Sequence, residues 1–589
     1  MTGSADGAGP HAPGALSRLG PEHRARSVAR MASELFDVVV IGGGITGTGA
    51  ALDASSRGWS VAMIEARDYG VGASSKSSKL IHGGLRYLEM LQFRLVREAL
   101  RERALLTTTL APHLVRPVPF IWPLRHRVWE RTYVGAGLLL YDHLGGANAV
   151  PAACHLSRRA ALRIAPALRP DALVGAVRFY DAQTDDARMV VSVARTAASL
   201  GAAMATNVRA DELVTEAGRV VGVRAYDVLR SVPFTIRARH VVSAAGAWTE
   251  DLQDMAIGRD STLRVRPSKG IHILVPRSRL DMSTGLISRT EKSVLFVIPW
   301  HGYWLIGDTD TEWAYDKAHP AASGADIDYL LAKVNAMLRV PLERADVIGV
   351  FAGLRPLVAT TADKDTTRLS REHVVMSPVP GFTTIAGGKF TTYRIMARDL
   401  IDAAAADASS PTGASRTATT PIFGAKGYAE LVAQVGTLAR DWGLPSFQVR
   451  RLLGRYGAAA AEVARLLASS PELRMPVSGS ADEDDGGGYL LAEIVYACTD
   501  EGALHLSDVL ERRTRLAIES RDCGLAAAPR AARLMATVLG WDDARTRSEV
   551  EHYERSVAAD EAAHAERTDA AAHAARLAAP DIAEFYWPA

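Results

Sequence analysis

Residues 37–65, DVVVIGGGITGTGAALDASSRGWSVAMIE, constrain the fold of this chain more than any other stretch. Asp37 to Ile41 reads as an apolar, β-branched strand, and Gly42, Gly44 and Gly47 follow as G-x-G-x-x-G at a strand-to-helix turn. The first glycine permits the tight turn. The second lets a pyrophosphate approach the backbone, and the third lets helix and sheet pack closely. That pyrophosphate would meet free N–H groups and the positive end of a helix dipole. A second strand, Trp59 to Ile64, ends in Glu65, where a carboxylate can hold a ribose 2′-hydroxyl. Glu65 argues against a 2′-phosphorylated cofactor, because the two anions would repel. The unit predicts an adenine dinucleotide without choosing between FAD and NAD.

A chain of 589 residues exceeds a single core and predicts about two to four domains. Lysine and arginine number 68 against 66 acidic residues, so no bulk field points to nucleic acid, and none is expected as a partner. Cys154, Cys498 and Cys523 are scattered and follow no metal or redox spacing. That pattern fits a reducing compartment, with each thiol a small buried hydrophobe and no metal site. No run reaches the ~18 apolar residues of a membrane span.

The composition divides the chain. Residues 1–34, rich in Gly, Ala, Pro and Arg, read as a disordered extension. Residues 35–402 form one dinucleotide-binding domain with an interleaved substrate part, roughly 110–350. Within it the Pro-rich segment 112–123 interrupts a helical pattern, and 171–320 alternate short strands with turns, consistent with an inserted antiparallel sheet. Val242 to Trp248, VSAAGAW, is a strand ending in small residues, where a chain can return beside a bound dinucleotide. The segment 381–401 repeats the strand, glycine pair, helix logic, as large flavoproteins do. Residues 403–419 have linker composition, 420–555 are helical in period, and 556–589 form an Ala-rich tail.

Several cations emerge from glycine-rich turns: Lys79, His82 and Arg86 early, Arg355 in GLRPL, Lys389 in GGKFTTYR. His272 lies in the strand-like KGIHILVP. A substrate meeting Arg86, Arg355 and Lys389 should be anionic, since arginine forks suit phosphate oxygens and lysine adds a point charge.

The run SSKSSKLIHGGLRYLE with FRLVREAL (93–100), YDHLG (141–145), DDARMV (185–190), KGIHILVP (269–276), FVIPW (296–300), GLRPL (353–357) and GGKFTTYR (387–394) resembles the FAD-dependent glycerol-3-phosphate dehydrogenases. Order and spacing match from about residue 35 to the end. IGDTDTEW (306–313) keeps the family's glycine and Thr-Asp pair, but Asp308 stands where a small or hydroxyl residue is expected. The resemblance implies an α/β fold: an FAD-binding Rossmann-like domain, an inserted antiparallel-sheet substrate domain of amino-acid-oxidase type, and a C-terminal all-α domain.

It further implies oxidation of sn-glycerol 3-phosphate at C2 to dihydroxyacetone phosphate, with hydride passing to flavin N5. Arg86, Arg355, Lys389 and Arg371 would clamp the phosphate, His272 would be the base, and Tyr87 and Thr391 would support by hydrogen bonding. The cofactor would meet Gly42, Gly44, Gly47, Glu65, Ser74, Ser75, Ser78, Lys79, His82, Gly83, Ala245, Gly246, Trp248, Gly388, Lys389 and Thr391. Family members commonly sit on the cytoplasmic membrane face and reduce quinone. The expected anchor is 115–140, which interleaves Trp122 and Trp129 with Arg116, Arg125, Arg127 and Arg131. Dimerisation through the C-terminal helices is a further expectation. The alternatives are an oxidase of the same substrate that uses oxygen, an amine-oxidising flavoprotein of the same fold, and a flavin-binding sensor without turnover.

Overall fold

A computed structural model describes residues 17–84, 92–126, 129–145, 150–258, 263–290, 294–359, 372–408, 412–478 and 488–581. The strand Leu35–Ile41 pairs in parallel with Val61–Glu65 on one side and with Val232–Ser243 on the other. Ala203–Thr206 and Phe382–Gly387 extend the sheet in parallel at either end. Along the chain these strands number 1 to 5 and lie in the order 3-2-1-4-5, the doubly wound arrangement. Helices Ile45–Ser56, Asp186–Ser199 and Tyr393–Ala408 cover one face. The other face is closed by helix Pro21–Ser33, by Thr249–Ile257 and by the hairpin Val208–Glu216 with Arg219–Asp227. Burial on both faces explains why Val38–Ile41 and Val61–Ile64 are continuously apolar.

A second, ten-stranded sheet is antiparallel except where Arg116–Leu124 runs parallel to Gly285–Arg289. Its strands come from 80–81, 116–183, 264–312 and 349–359. Part of the stretch 171–320 therefore belongs elsewhere: residues 203–243 join the nucleotide sheet. Helix Gly324–Asn335 packs on this second sheet, begun by a capping box between Ser323 and Asp326.

The third body is helical and runs from Tyr428 to Arg576 around a core that includes Leu452, Leu490, Ile494 and Leu510. Buried ion pairs fasten it to the nucleotide domain. Arg512 and Arg513 reach Asp68 at 2.6 and 2.7 Å, and Arg188 pairs with Glu501.

Several boundaries differ from expectation. The extension is not disordered throughout: Pro21–Ser33 is a helix whose Arg24 forms a buried pair with Asp227 at 2.7 Å. The linker is docked, because helix Tyr393–Ala408 enters it and Thr417 is buried beside Asp53. The tail is structured too. Helix Asp543–Ala565 crosses residue 555, and Asp569 of the next helix pairs with fully buried Lys269. In each case composition signals flexibility, and burial together with long-range ion pairs and hydrogen bonds overrides it.

Residues 116–123 of the 112–123 segment belong to a strand, Arg116–Leu124, paired on both sides. Its prolines at 117, 119 and 123 fall on alternate residues, so their missing N–H groups share one edge. The first half of the expected anchor 115–140 is consequently sheet core, with Phe120, Ile121 and Trp122 buried. Among the described residues no helix is long and apolar enough to cross a membrane.

Candidate active site

A cavity of about 1180 Å³ opens where the strand order reverses, between the carboxyl ends of Leu35–Ile41 and Val232–Ser243. Ligands of doubly wound sheets bind at this switch point, and single small-molecule sites span roughly 300–1,000 Å³. The cavity therefore has room for a dinucleotide and a small substrate.

Gly42 has φ +113°, and a Cβ there would meet the Ala244 carbonyl, so the two chain ends close on each other. A Cβ on Gly47 would overlap the Gly42 carbonyl, which is the close helix packing the motif demands. Helix Ile45–Ser56 starts at Gly44, which has no side chain to cap it, and Gly44, Ile45 and Thr46 line the cavity. Ser74 Oγ accepts from Ile45 N at 3.0 Å. The Glu65 carboxylate accepts from Gly43 N at 2.6 Å and Arg67 N at 2.9 Å. Burial raises its pKa, and these two N–H groups oppose the shift. Across the crevice Ala245, Gly246 and Trp248 line the wall, and Arg67 lies over the Trp248 ring at 5.4 Å. An anion-accepting helix end, a ribose carboxylate and an open Gly246 fit FAD.

At the other end three antiparallel strands set the reactive groups. His272 stands opposite Gly307 on one side and Phe351 on the other; Arg355 stands opposite Ser268. Residues 268, 270 and 272 share a face with 351, 353 and 355, as the two-residue period requires. Two glycines make this face usable. A Cβ on Gly270 would overlap the Arg355 guanidinium, and one on Gly307 would overlap the His272 ring. His272 Nε2 shares a hydrogen bond with Ser78 Oγ at 2.9 Å, and its ring stacks on Phe351 at 5.0 Å and 15°. Burial pushes its pKa down to about 4, Asp308 and Asp186 oppose this, and Arg355 and Lys79 add to it. The imidazole is neutral at pH 7. Arg355 donates Nη1 to the Thr309 carbonyl at 3.1 Å and pairs with Asp308.

Gly387 and Gly388, at φ +76° and +84°, turn the chain so that Lys389 faces the same cavity. Thr391 lines it too, but its hydroxyl is engaged with the His82 backbone, accepting from N at 3.1 Å. It ties the His82 turn to the Lys389 turn.

The cavity brings together Gly42, Gly44, Glu65, Ser74, Ser78, His82, Ala245, Gly246, Trp248, His272, Arg355, Gly388, Lys389 and Thr391. Four residues expected to meet the cofactor do not line this cavity. Gly47 packs against the Gly42 carbonyl, and Ser75 is buried off the cavity wall. Gly83 donates its N–H to Tyr141 Oη at 2.8 Å, and a Cβ there would overlap Leu100 and Tyr141. Lys79 is fully buried on Asp186 at 2.9 Å, because its left-handed φ of +58° turns it inward. Arg86, Tyr87 and Arg371 lie outside the described residues. Sequence reasoning missed Tyr141, Asp181 and Arg103, whose linked hydrogen bonds hold the Gly83 turn. It also missed the roles of Asp186 and Phe351. YDHLG and DDARMV were visible as motifs, but their partners lie far away in sequence.

Residues 37–394 match the family model "FAD dependent oxidoreductase", and residues 415–546 match "C-terminal domain of alpha-glycerophosphate oxidase". The chain belongs to the FAD-dependent oxidoreductases, and FAD is its cofactor. It is 49% identical over 565 residues to glycerol-3-phosphate dehydrogenase of Mycobacterium leprae, covering 96% of this chain and 95% of that protein. The human mitochondrial glycerol-3-phosphate dehydrogenase is 37% identical, with 91% and 75% covered. The solved glycerol-3-phosphate dehydrogenase of Bacillus halodurans, complexed with FAD, superposes with a TM-score of 0.75 at 27% identity, covering 92% of this chain and 98% of that one. Within its class the chain is a member of the glycerol-3-phosphate dehydrogenase family.

Proposed function

We propose that this enzyme oxidises sn-glycerol 3-phosphate at C2 to dihydroxyacetone phosphate and delivers the electrons to a quinone. The observation that carries the reading is the convergence of His272, Arg355 and Lys389 on one cavity contiguous with the cofactor crevice. Arg355 and Lys389 offer the cations for a phosphate. Neutral His272, oriented by Ser78 and Phe351, accepts the C2 hydroxyl proton. FAD, when bound, supplies the acceptor for the hydride leaving C2. The second sheet and Trp122 wall the cavity and limit water at the reacting carbon.

For the acceptor side we assign a peripheral membrane contact to the face formed by helices Phe93–Leu105 and Trp129–Gly145. Phe93, Tyr133 and Leu140 are exposed there, and Arg94, Arg97, Arg101 and Arg398 line the adjoining groove. Apolar side chains rimmed by arginines suit an anionic lipid surface.

Anaerobic addition of glycerol 3-phosphate should bleach the flavin absorption. An unbleached flavin would overturn the substrate. In air, reduction of a quinone analogue should far exceed peroxide release; stoichiometric peroxide would make the enzyme an oxidase.

A further inference from the structure

Beneath the cavity floor lies a buried charge cluster that the reaction itself does not use. Asp185 and Asp186 open helix Asp186–Ser199, where the helix dipole favours carboxylates. Asp186 Oδ2 accepts from Ser77 N at 3.0 Å and from Ser77 Oγ at 2.7 Å, and Oδ1 accepts from Lys79 Nζ at 2.9 Å. Ser77 Oγ in turn accepts from Lys79 N at 3.0 Å. Arg515, from the C-terminal helical domain, pairs with Asp186 and also reaches Asp185 at 2.6 Å.

Ser78 sits between these two held residues and carries the hydroxyl that bonds His272. Lys79 Nζ lies 4.9 Å over the Phe351 ring, whose other role is to stack on His272. Both contacts that orient the imidazole thus rest on groups tied to one carboxylate. The left-handed φ of Lys79, uncommon for a residue with a long side chain, is the backbone cost of that arrangement.

We infer that Asp186 is a positioning residue for His272, and that Arg515 couples the C-terminal helical domain to the active site through it. The cluster holds Ser78 and Phe351 in place, so the imidazole meets the substrate hydroxyl in one orientation. Burial pulls Lys79 down to about 8, with Arg515 adding to this and the two aspartates opposing it, so the cation depends on them. The inference rests on the reading of His272 as the base.

Asp186→Asn in the flavin-loaded protein is the direct test, since it removes the charge at nearly constant shape. Lys79→Met with Asp186→Asn removes both charges, and covers the case in which the single variant fails to fold. The expected result is retained flavin, kcat lowered on the order of 10–100-fold and KM changed less than about threefold. The ¹³Cε1 NMR line of His272, assigned with His272→Asn, should shift or split in either variant. Asp186→Glu should restore part of the rate. Unchanged kcat and an unchanged His272 line, with only a lower melting temperature, would overturn the inference. The NMR line needs no substrate: if it shifts while the wild type fails to bleach with glycerol 3-phosphate, the substrate reading falls and the positioning role stands.

Discussion

Arg355 meets a competitor in its own cavity. Asp308 takes the guanidinium that a substrate phosphate would need, at a position where a small or hydroxyl residue is expected from the sequence. A phosphate therefore displaces a carboxylate and then sits near it, which costs binding energy twice over. Asp308→Thr should lower KM for glycerol 3-phosphate about tenfold, with kcat changed less. Arg355→Ala should raise KM on the order of 10²-fold while FAD stays bound; loss of flavin would instead assign that arginine to the cofactor. Steady-state kinetics with flavin absorption reads both. His272 sets a third expectation. Its pKa of about 4 keeps it neutral down to mildly acid pH, so the acid limb of kcat should lie well below 6.5. A limb near 6.5 would mean an ordinary, solvated imidazole.

At the scale of elements, glycine does as much as any charged residue. Gly270 and Gly307 are bare so that Arg355 and His272 can lie across neighbouring strands. Gly270→Ala should leave the sheet folded and push the guanidinium aside, lowering kcat/KM on the order of 10²-fold. Far-ultraviolet dichroism together with kinetics checks this. KGIHILVP was legible as a strand carrying a candidate base, and the glycine before His272 was visible in it. Its purpose was not, because the residue it makes room for is on Gly349–Ala359, more than eighty positions later. The 112–123 segment shows a related limit. Its prolines mark the end of the helical run at Leu110, but the spacing of Pro117, Pro119 and Pro123, which lets one strand edge go without donors, was not read as a strand. Lys79 shows the same limit at a single residue: its sequence neighbours are serines, while its charge partner is Asp186.

The whole molecule carries many histidines whose imidazoles burial keeps neutral. His23 and His240 are pushed down to about 4, His113 to about 3, and His301, His319, His552 and His564 are lowered as well. In the unfolded chain each binds a proton near 6.5. Between about 6.5 and 4 the unfolded state therefore holds more protons, so stability rises with pH and is lost on acidification. His505 works oppositely: paired with Glu549, its raised pKa adds stability at low pH, as do the carboxyls of Asp53, Glu65, Asp181, Asp500 and Asp508, whose pKa values burial raises. The unfolded histidine value of about 6.5 lies between pH 7 and pH 5 and the ordinary carboxylate value lies below that window, so the melting temperature should fall from pH 7 to pH 5. A flat profile over that range would contradict the burial of these rings.

The division between sequence and structure follows from range. The chain by itself determined the nucleotide unit, because strand, G-x-G-x-x-G, helix and acid all fall within 37–65 and their pattern is local. It also suggested a reactive set, since LIHGGLRYLE, GLRPL and GGKFTTYR each carry a cation close to glycine and KGIHILVP carries a histidine. Only the tertiary structure decided which members of that set meet. Strand register put His272 and Arg355 on one face, and strand order placed that face at the switch point beside Gly42. The same long-range pairing turned Lys79 inward and folded the expected linker and tail onto the core. Burial and charge pairing depend on residues hundreds of positions apart, which no local pattern encodes.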